Sequence, residues 1–258
     1  MKPVYLGTNW KMHKDLNEAM EYTGKLLQFH VPEHIQLFLI PPFTHLQSMS
    51  ERLKGTGIWL GAQNAHWEDE GDYTGEVSPR MLKSFNIDLI ELGHSERRKY
   101  WGETDYTVNK KALAGIANGM KVLICVGEGA EDKNCGVSHE YVKRQVKIAL
   151  KDIPPEKASQ IMLAYEPLWS IGASGIPAQP DYAGSIHGTI KETLAELFGK
   201  KDTGIPVLYG GSVNLDNCIG FLSAGNVDGL FIGRAAWTAE NLLKIVKRVA
   251  EEFIPVHQ

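Results

Sequence analysis

The sequence predicts an α/β protein, a single (β/α)8 barrel domain over residues 1–258, and three observations lead there. Short apolar runs recur eight times; most are continuous rather than alternating, as in parallel strands covered on both faces. Segments of helical period lie between them. A chain of 258 residues, 43% of them hydrophobic, is the size that eight such units need around one core. In order, the expected strands are Val4–Leu6, Leu37–Ile40, Ile58–Leu60, Ile87–Ile90, Val122–Val126, Ile161–Ala164, Val207–Tyr209 and Leu230–Ile232. The clearest helical periods fall at Leu16–Phe29, Asp105–Asn118, Val137–Leu150, Asp181–Phe198 and Glu240–Phe253. No linker composition or low-complexity tract interrupts the alternation. A doubly wound open sheet is the competing architecture, but the turn after the first run, Gly7-Thr8-Asn9-Trp10, lacks the glycine spacing of a dinucleotide-binding loop.

Bulk properties narrow the function. A net charge of -4, with both signs scattered, supplies no basic field for nucleic acid or an anionic membrane. No run of about 18 apolar residues and no export signal is present, so neither membrane insertion nor secretion is expected. Cys125, Cys135 and Cys218 form no disulfide framework and no C-x-x-C pair, which points to a reducing cytoplasm. Small-molecule chemistry remains.

In a barrel, groups that follow the strands converge on one face however far apart they lie in sequence. The first strand is followed by Asn9 and Lys11, the lysine set between Trp10 and Met12, which could desolvate its head group. The fourth leads into Gly93-His94-Ser95-Glu96, where Ser95 is a candidate helix N-cap. A helix starting there would favour a neutral His94 ring, able to polarise a carbonyl. The sixth ends in Tyr165-Glu166-Pro167-Leu168-Trp169, a carboxylate at the mouth of a loop stiffened by Pro and hinged by Gly172 and Gly175. The seventh and eighth end in Tyr209-Gly210-Gly211-Ser212 and Gly233-Arg234, glycine turns whose N–H groups can approach an anion such as phosphate. Taken singly, each has a plain structural reading: Glu166 as a cap or ion-pair partner, His94 as a hydrogen-bonded strand end, Lys11 as a solvated charge. Together, a carboxylate base, a neutral histidine, a lysine, an anion cradle and a hinged lid suit proton removal beside the carbonyl of a small phosphorylated substrate.

Those residues resemble the triosephosphate isomerase family nearly from end to end, in Gly7–Met12, Gly61–Asn64, Thr74–Pro79, Glu91–Arg98, Ala164–Trp169 and Tyr209–Val213. The resemblance implies Glu166 as the base, His94 as the electrophile that moves protons between substrate oxygens, Lys11 as the cation offsetting enediolate and phosphate charge, and Asn9 as a residue that helps position Lys11 and substrate. It implies Glu96 as a supporting residue outside the groups that touch substrate, phosphate contacts from Gly172, Ser212, Gly233 and Arg234, and a lid latched by Tyr209 and Ser212. It further implies that no metal or organic cofactor is needed, and a homodimer joined through the loop Gly71–Glu76. Three departures stand out: a rebuilt, longer lid tip at Ile171-Gly172-Ala173-Ser174-Gly175-Ile176, Arg234 after Gly233 where the family usually has a second glycine, and Ala65-His66-Trp67 after the third strand. They resemble the subgroup acting on tetrulose phosphates, from L-erythrulose 1-phosphate to D-erythrulose 4-phosphate in erythritol catabolism. The alternatives are a glycolytic triosephosphate isomerase, a sugar-phosphate binder without catalysis, and a metal-dependent aldolase or hydrolase, although no H-x-H or H-E-x-x-H cluster is present.

Overall fold

The computed structural model describes residues 2–172 and 175–253. Eight parallel strands close into a ring in sequence order: β1 Val4–Asn9, β2 Ile35–Ile40, β3 Trp59–Ala62, β4 Leu89–Leu92, β5 Lys121–Val126, β6 Ile161–Tyr165, β7 Val207–Tyr209 and β8 Gly229–Ile232. The ring closes where Gly7 of β1 stands opposite Phe231 of β8. The expected (β/α)8 barrel is therefore the fold, and the open sheet is not.

Among the described residues, ten α-helices surround the ring: α1 Leu16–Leu26, α2 Leu46–Leu53, α3 Pro79–Ser84, α4 Ser95–Trp101, α5 Asp105–Ala117, α6 Ala130–Asn134, α7 Ser138–Ala149, α8 Pro180–Phe198, α9 Cys218–Leu222 and α10 Ala239–Glu252. The five helices expected from periodicity are present within a few residues of their predicted ends. The others are short, with too few turns to show a period; α3 is marked instead by its cap, Ser78 accepting from the Met81 N–H with Pro79 at the first turn. Capping boxes at Asp15–Glu18 and Thr104–Thr107 define the starts of α1 and α5.

Two apolar layers hold the molecule together. The outer one packs strands against helices; the inner one fills the barrel with Phe38, Ile40, Leu89, Leu123, Cys125, Met162, Ala164, Leu208 and Phe231. Phe38 and Phe231 stack 5.8 Å apart, and a Cβ on Gly7 would lie 1.9 Å from the Phe38 ring, so glycine there is what admits the phenylalanine. The two-residue strand period then decides what stands above this floor. Leu89 faces the interior and so does Glu91; Met162 and Ala164 do, and so does Glu166, the next in step.

Candidate active site

At the carboxyl ends of the strands a cleft of about 350 Å³ is lined by Asn9, Lys11, His94, Glu166, Gly172, Ser212, Gly233 and Arg234, among others. All eight residues expected to touch substrate thus meet in one cleft. They come from five strand ends and the loop after β6.

Glu166 follows β6 directly. Its N–H donates to the Val126 carbonyl at 2.7 Å and its side chain is buried. Two glycines make room for it: a Cβ on Gly127 would lie 1.9 Å from the Glu166 carbonyl oxygen, and one on Gly210 would lie 2.9 Å from its Cγ. Glu166 Oε1 stands 3.7 Å from His94 Nε2. Its Oε2 is buried with no hydrogen-bond partner among the described residues, an arrangement that leaves one carboxylate oxygen free for an incoming proton.

His94, rather than Ser95, is the N-cap of α4: its Nδ1 accepts from the Glu96 N–H at 3.2 Å. The ring replaces the small polar side chain usual at this position because β4 delivers residue 94 to the cleft just as the helix begins. An accepting Nδ1 requires that a neutral ring carry its proton on Nε2, on the side facing Glu166.

Lys11 adopts a left-handed backbone, φ 54°, a strained conformation for a residue that carries a Cβ. Three hydrogen bonds hold it there: Lys11 N–H to Asn9 Oδ1 at 2.6 Å, Gln63 Nε2 to the Lys11 carbonyl at 2.7 Å, and Gln63 Nε2 to Asn9 Oδ1 at 3.2 Å. Its Nζ donates to Glu96 Oε1 at 2.8 Å, which places Glu96 behind Lys11. Both side chains are partly exposed, which makes the pair weak in stability, about 0–1 kcal/mol, and useful chiefly for aiming the ammonium. Desolvation by the neighbours is not what the fold provides: Trp10 is buried away from the cleft and Met12 is 94% exposed.

The glycine turns lie opposite. Gly172 has φ 90°, and among the described residues nothing beyond the chain neighbours lies within 4 Å of where a Cβ on it or on Gly233 would stand, leaving both backbones open to the cleft. Gly233 opens a single 3-10 turn, Arg234–Ala236, on which Arg234 is exposed at the rim. Ser212 Oγ donates to the Ser170 carbonyl at 2.6 Å, tying the β7 turn to the base of the lid. Gly211 serves packing as much as anion access, since a Cβ there would lie 2.2 Å from the Tyr209 hydroxyl. Tyr209 is buried, stacked 3.9 Å from Phe221, and burial pushes its phenol up to about 12. Ala173 and Ser174, at the expected lid tip, lie outside the described residues.

Three residues were not foreseen in the sequence. Gln63 braces Lys11, as above. Glu128, wholly buried after β5, accepts from the Tyr165 hydroxyl at 3.0 Å, the Trp169 indole N–H at 2.8 Å and the Tyr182 hydroxyl at 3.0 Å, joining β6, the lid base and α8. Glu91 lies under the cleft and accepts from Asn9 Nδ2 at 2.7 Å. A charged residue within the apolar run at β4 and another within the Val-Gly-Glu turn were the available signals. Among the described residues, Glu91, His94 and Glu166 bring side-chain O and N atoms within 4.8 Å of one another.

A closed parallel barrel with this cleft on its carboxyl face defines a (β/α)8-barrel enzyme, an isomerase by its relatives. The triosephosphate isomerase family model matches residues 4–249, and the chain belongs to that family. It is 45% identical over 250 residues to an L-erythrulose-1-phosphate isomerase of Rhizobium etli, covering 96% of this chain and 92% of that one. It is similarly 45% identical to the L-erythrulose-1-phosphate isomerase of Rhizobium meliloti, over 96% and 97% of the two chains, and 43% identical to that of Brucella abortus, over 97% and 98%.

Proposed function

We propose that this enzyme interconverts L-erythrulose 1-phosphate and D-erythrulose 4-phosphate through an enediolate, as a cytoplasmic step of erythritol catabolism. The observation that carries the reaction class is the 3.7 Å approach of Glu166 and His94 across a cleft whose far side is a glycine-lined corner. The three relatives above favour the four-carbon substrate over a triose phosphate.

Glu166 takes the proton from C3, electrons move into the C2–C3 bond, and the C2 oxygen gains negative charge beside His94 Nε2–H. His94 gives its proton to that oxygen and recovers one from the C3 hydroxyl; Glu166 then returns its proton to C2. The carbonyl has moved by one carbon while the phosphate has stayed in place, so numbering from the other end yields the 4-phosphate. Lys11, aimed by Glu96 and Asn9, offsets the developing charge. The N–H groups of Gly172, Ser212 and Gly233, with the Arg234 guanidinium, hold the phosphate, and a lid latched at Tyr209 and Ser212 excludes water from the intermediate.

Purified enzyme offered each substrate separately tests this reading. A higher kcat/KM for the tetrulose phosphate is expected, by about 10–200-fold, since one hydroxymethyl group in a simple pocket is worth roughly 1–3 kcal/mol. A higher value for dihydroxyacetone phosphate overturns the substrate, and no solvent-hydrogen exchange into bound ketose overturns the reaction. Turnover in chelator should be undiminished; loss restored by added metal contradicts the metal-free reading.

The same proposal includes a homodimer. The loop Gly71–Glu76 is exposed throughout and carries Tyr73, whose ring packs against His66 at a tilt of 35°, centroids 4.2 Å apart. Met12, Met81 and Phe85 are also exposed, leaving apolar surface that a second copy would cover. Sedimentation equilibrium should give twice the chain mass, and Tyr73→Asp should halve it; a monomeric wild type removes the dimer.

A further inference from the structure

The apolar inner layer of the barrel is interrupted by one carboxyl group that the reaction above does not use. Glu91 is fully buried on β4, its side chain directed inward in step with Leu89. Its two neighbours at bonding distance are neutral: Asn9 Nδ2 at 2.7 Å to one oxygen, and Cys125 Sγ at 3.7 Å from the other. The nearby lysine, Lys11, is paired instead with Glu96. A carboxylate stripped of water, with one amide donor and no cation bonded to it, is the costlier form of the group, whereas a carboxylic acid meets both neighbours without an unmatched charge.

Asn9 has its Nδ2 on Glu91 and its Oδ1 on the Lys11 N–H and Gln63. The orientation of the Asn9 amide, and with it the strained Lys11 backbone, is therefore set from below by Glu91. We propose that Glu91 is a positioning residue for the isomerase reaction: as a neutral acid it clamps Asn9, and through Asn9 the Lys11 ammonium, without placing a second negative charge beneath Glu166 and the enediolate. The assignment rests on the isomerase reading of the site.

The groups facing Glu91 can be named from each side. His94 follows on its own strand, Glu166 stands on β6, Cys125 on β5 and Lys11 after β1; β3 contributes Gly61 and Ala62, which do not titrate, and the floor below is apolar. Burial, reinforced by Glu166 and only partly offset by His94, Asn9 and Lys11, pushes the Glu91 carboxyl up to about 7. The charge on the neighbouring Glu166 raises the proton affinity of Glu91. A dianionic phosphate ester and its enediolate should favour the protonated form further.

Glu91→Gln keeps an oxygen for Asn9 and removes the titration; Glu91→Leu removes both. With the tetrulose phosphate as substrate, the ratio of Glu91→Gln to wild type in kcat/KM cancels the substrate's own ionisation. That ratio is expected to rise at least threefold between about pH 6 and pH 8.5, as the wild type acquires the buried charge. Glu91→Leu should lose about 100-fold in kcat, with Glu91→Gln restoring most of it, since only the leucine leaves Asn9 unanchored. Infrared difference spectra of wild type without substrate should show a protonated-carboxyl band that fades as pH passes 7, absent in Glu91→Gln. A flat ratio, a missing band, or Glu91→Leu as active as Glu91→Gln overturns the proposal. Should the leucine variant not fold, the ratio and the band still decide. Wild type inactive on both ketose phosphates but showing the band would remove the isomerase reading and leave the protonated Glu91 standing.

Discussion

Glu166 is held so closely that small displacements should be costly. Shortening it by one methylene in Glu166→Asp retracts the base from the reacting carbon, and kcat is expected to fall by about 100-fold or more with little change in KM, because ground-state contacts with the phosphate are untouched. A large rise in KM at constant kcat would assign Glu166 to binding. Gly210→Ala should act on the same group from outside: its Cβ would stand 2.9 Å from Glu166 Cγ. A drop of roughly 10–100-fold in kcat, with unfolding behaviour close to wild type, is the expected result. Both residues were visible in the sequence, but for Gly210 the reason was not. A glycine pair after a strand suggests anion access; the coordinates show that this one also leaves space for a neighbouring strand's carboxylate.

Between elements, the decisive group is Glu128. It joins the end of β5 to Tyr165 of β6, Trp169 at the lid base and Tyr182 of α8 through four hydrogen bonds, and it raises the phenols of Tyr165 and Tyr182, in both of which burial is the larger cause. Replacing it by leucine takes the acceptor from the buried Tyr165 hydroxyl and the half-buried Trp169 indole N–H, while the Tyr182 hydroxyl keeps Ser138 Oγ at 2.8 Å. Urea unfolding of Glu128→Leu should show a loss of roughly 3–5 kcal/mol, and Glu128→Gln, which keeps an acceptor, markedly less. Equal losses would mean that charge rather than hydrogen bonding holds the lid base. Periodicity could not reveal this link, since Glu128 lies in a turn and its partners are spread over the end of β6, the lid base and α8. The same limit explains the short helices: α4, α6 and α9 have seven, five and five residues, too few for a repeating face, and their starts depend on side chains such as His94 that the sequence marks for other reasons.

For the molecule as a whole, two buried groups bias stability in opposite directions with pH. Burial holds His187 at about 3, well below its ordinary 6.5. The unfolded chain therefore binds the extra proton first, and this contribution is full above about pH 6.5 and is lost as pH falls towards 3. Glu91 is the reverse: raised from 4.5 to about 7, it favours the fold fully below pH 4.5 and loses that contribution as pH rises through 7. At pH 8, Glu91→Gln should be more stable than wild type by on the order of 1–3 kcal/mol, and at pH 4 it should have lost that advantage. Equilibrium unfolding at the two pH values measures this, and an unchanged difference would mean that Glu91 carries its charge in the folded protein.

The repeating alternation of apolar runs and helical periods was enough to specify the barrel, because strands covered on both faces and helices of three or more turns leave patterns that depend only on neighbours in the chain. Motifs at the strand ends likewise pointed to Asn9, Lys11, His94, Glu166, Ser212 and Gly233 before any coordinates. Closure of the ring decided the rest. It brought Glu166 within 3.7 Å of His94 and buried Glu91 beneath them with Asn9 and Cys125 as its neutral partners. Those are distances between residues separated by tens of positions, set by barrel register and side-chain burial, and no local pattern encodes them.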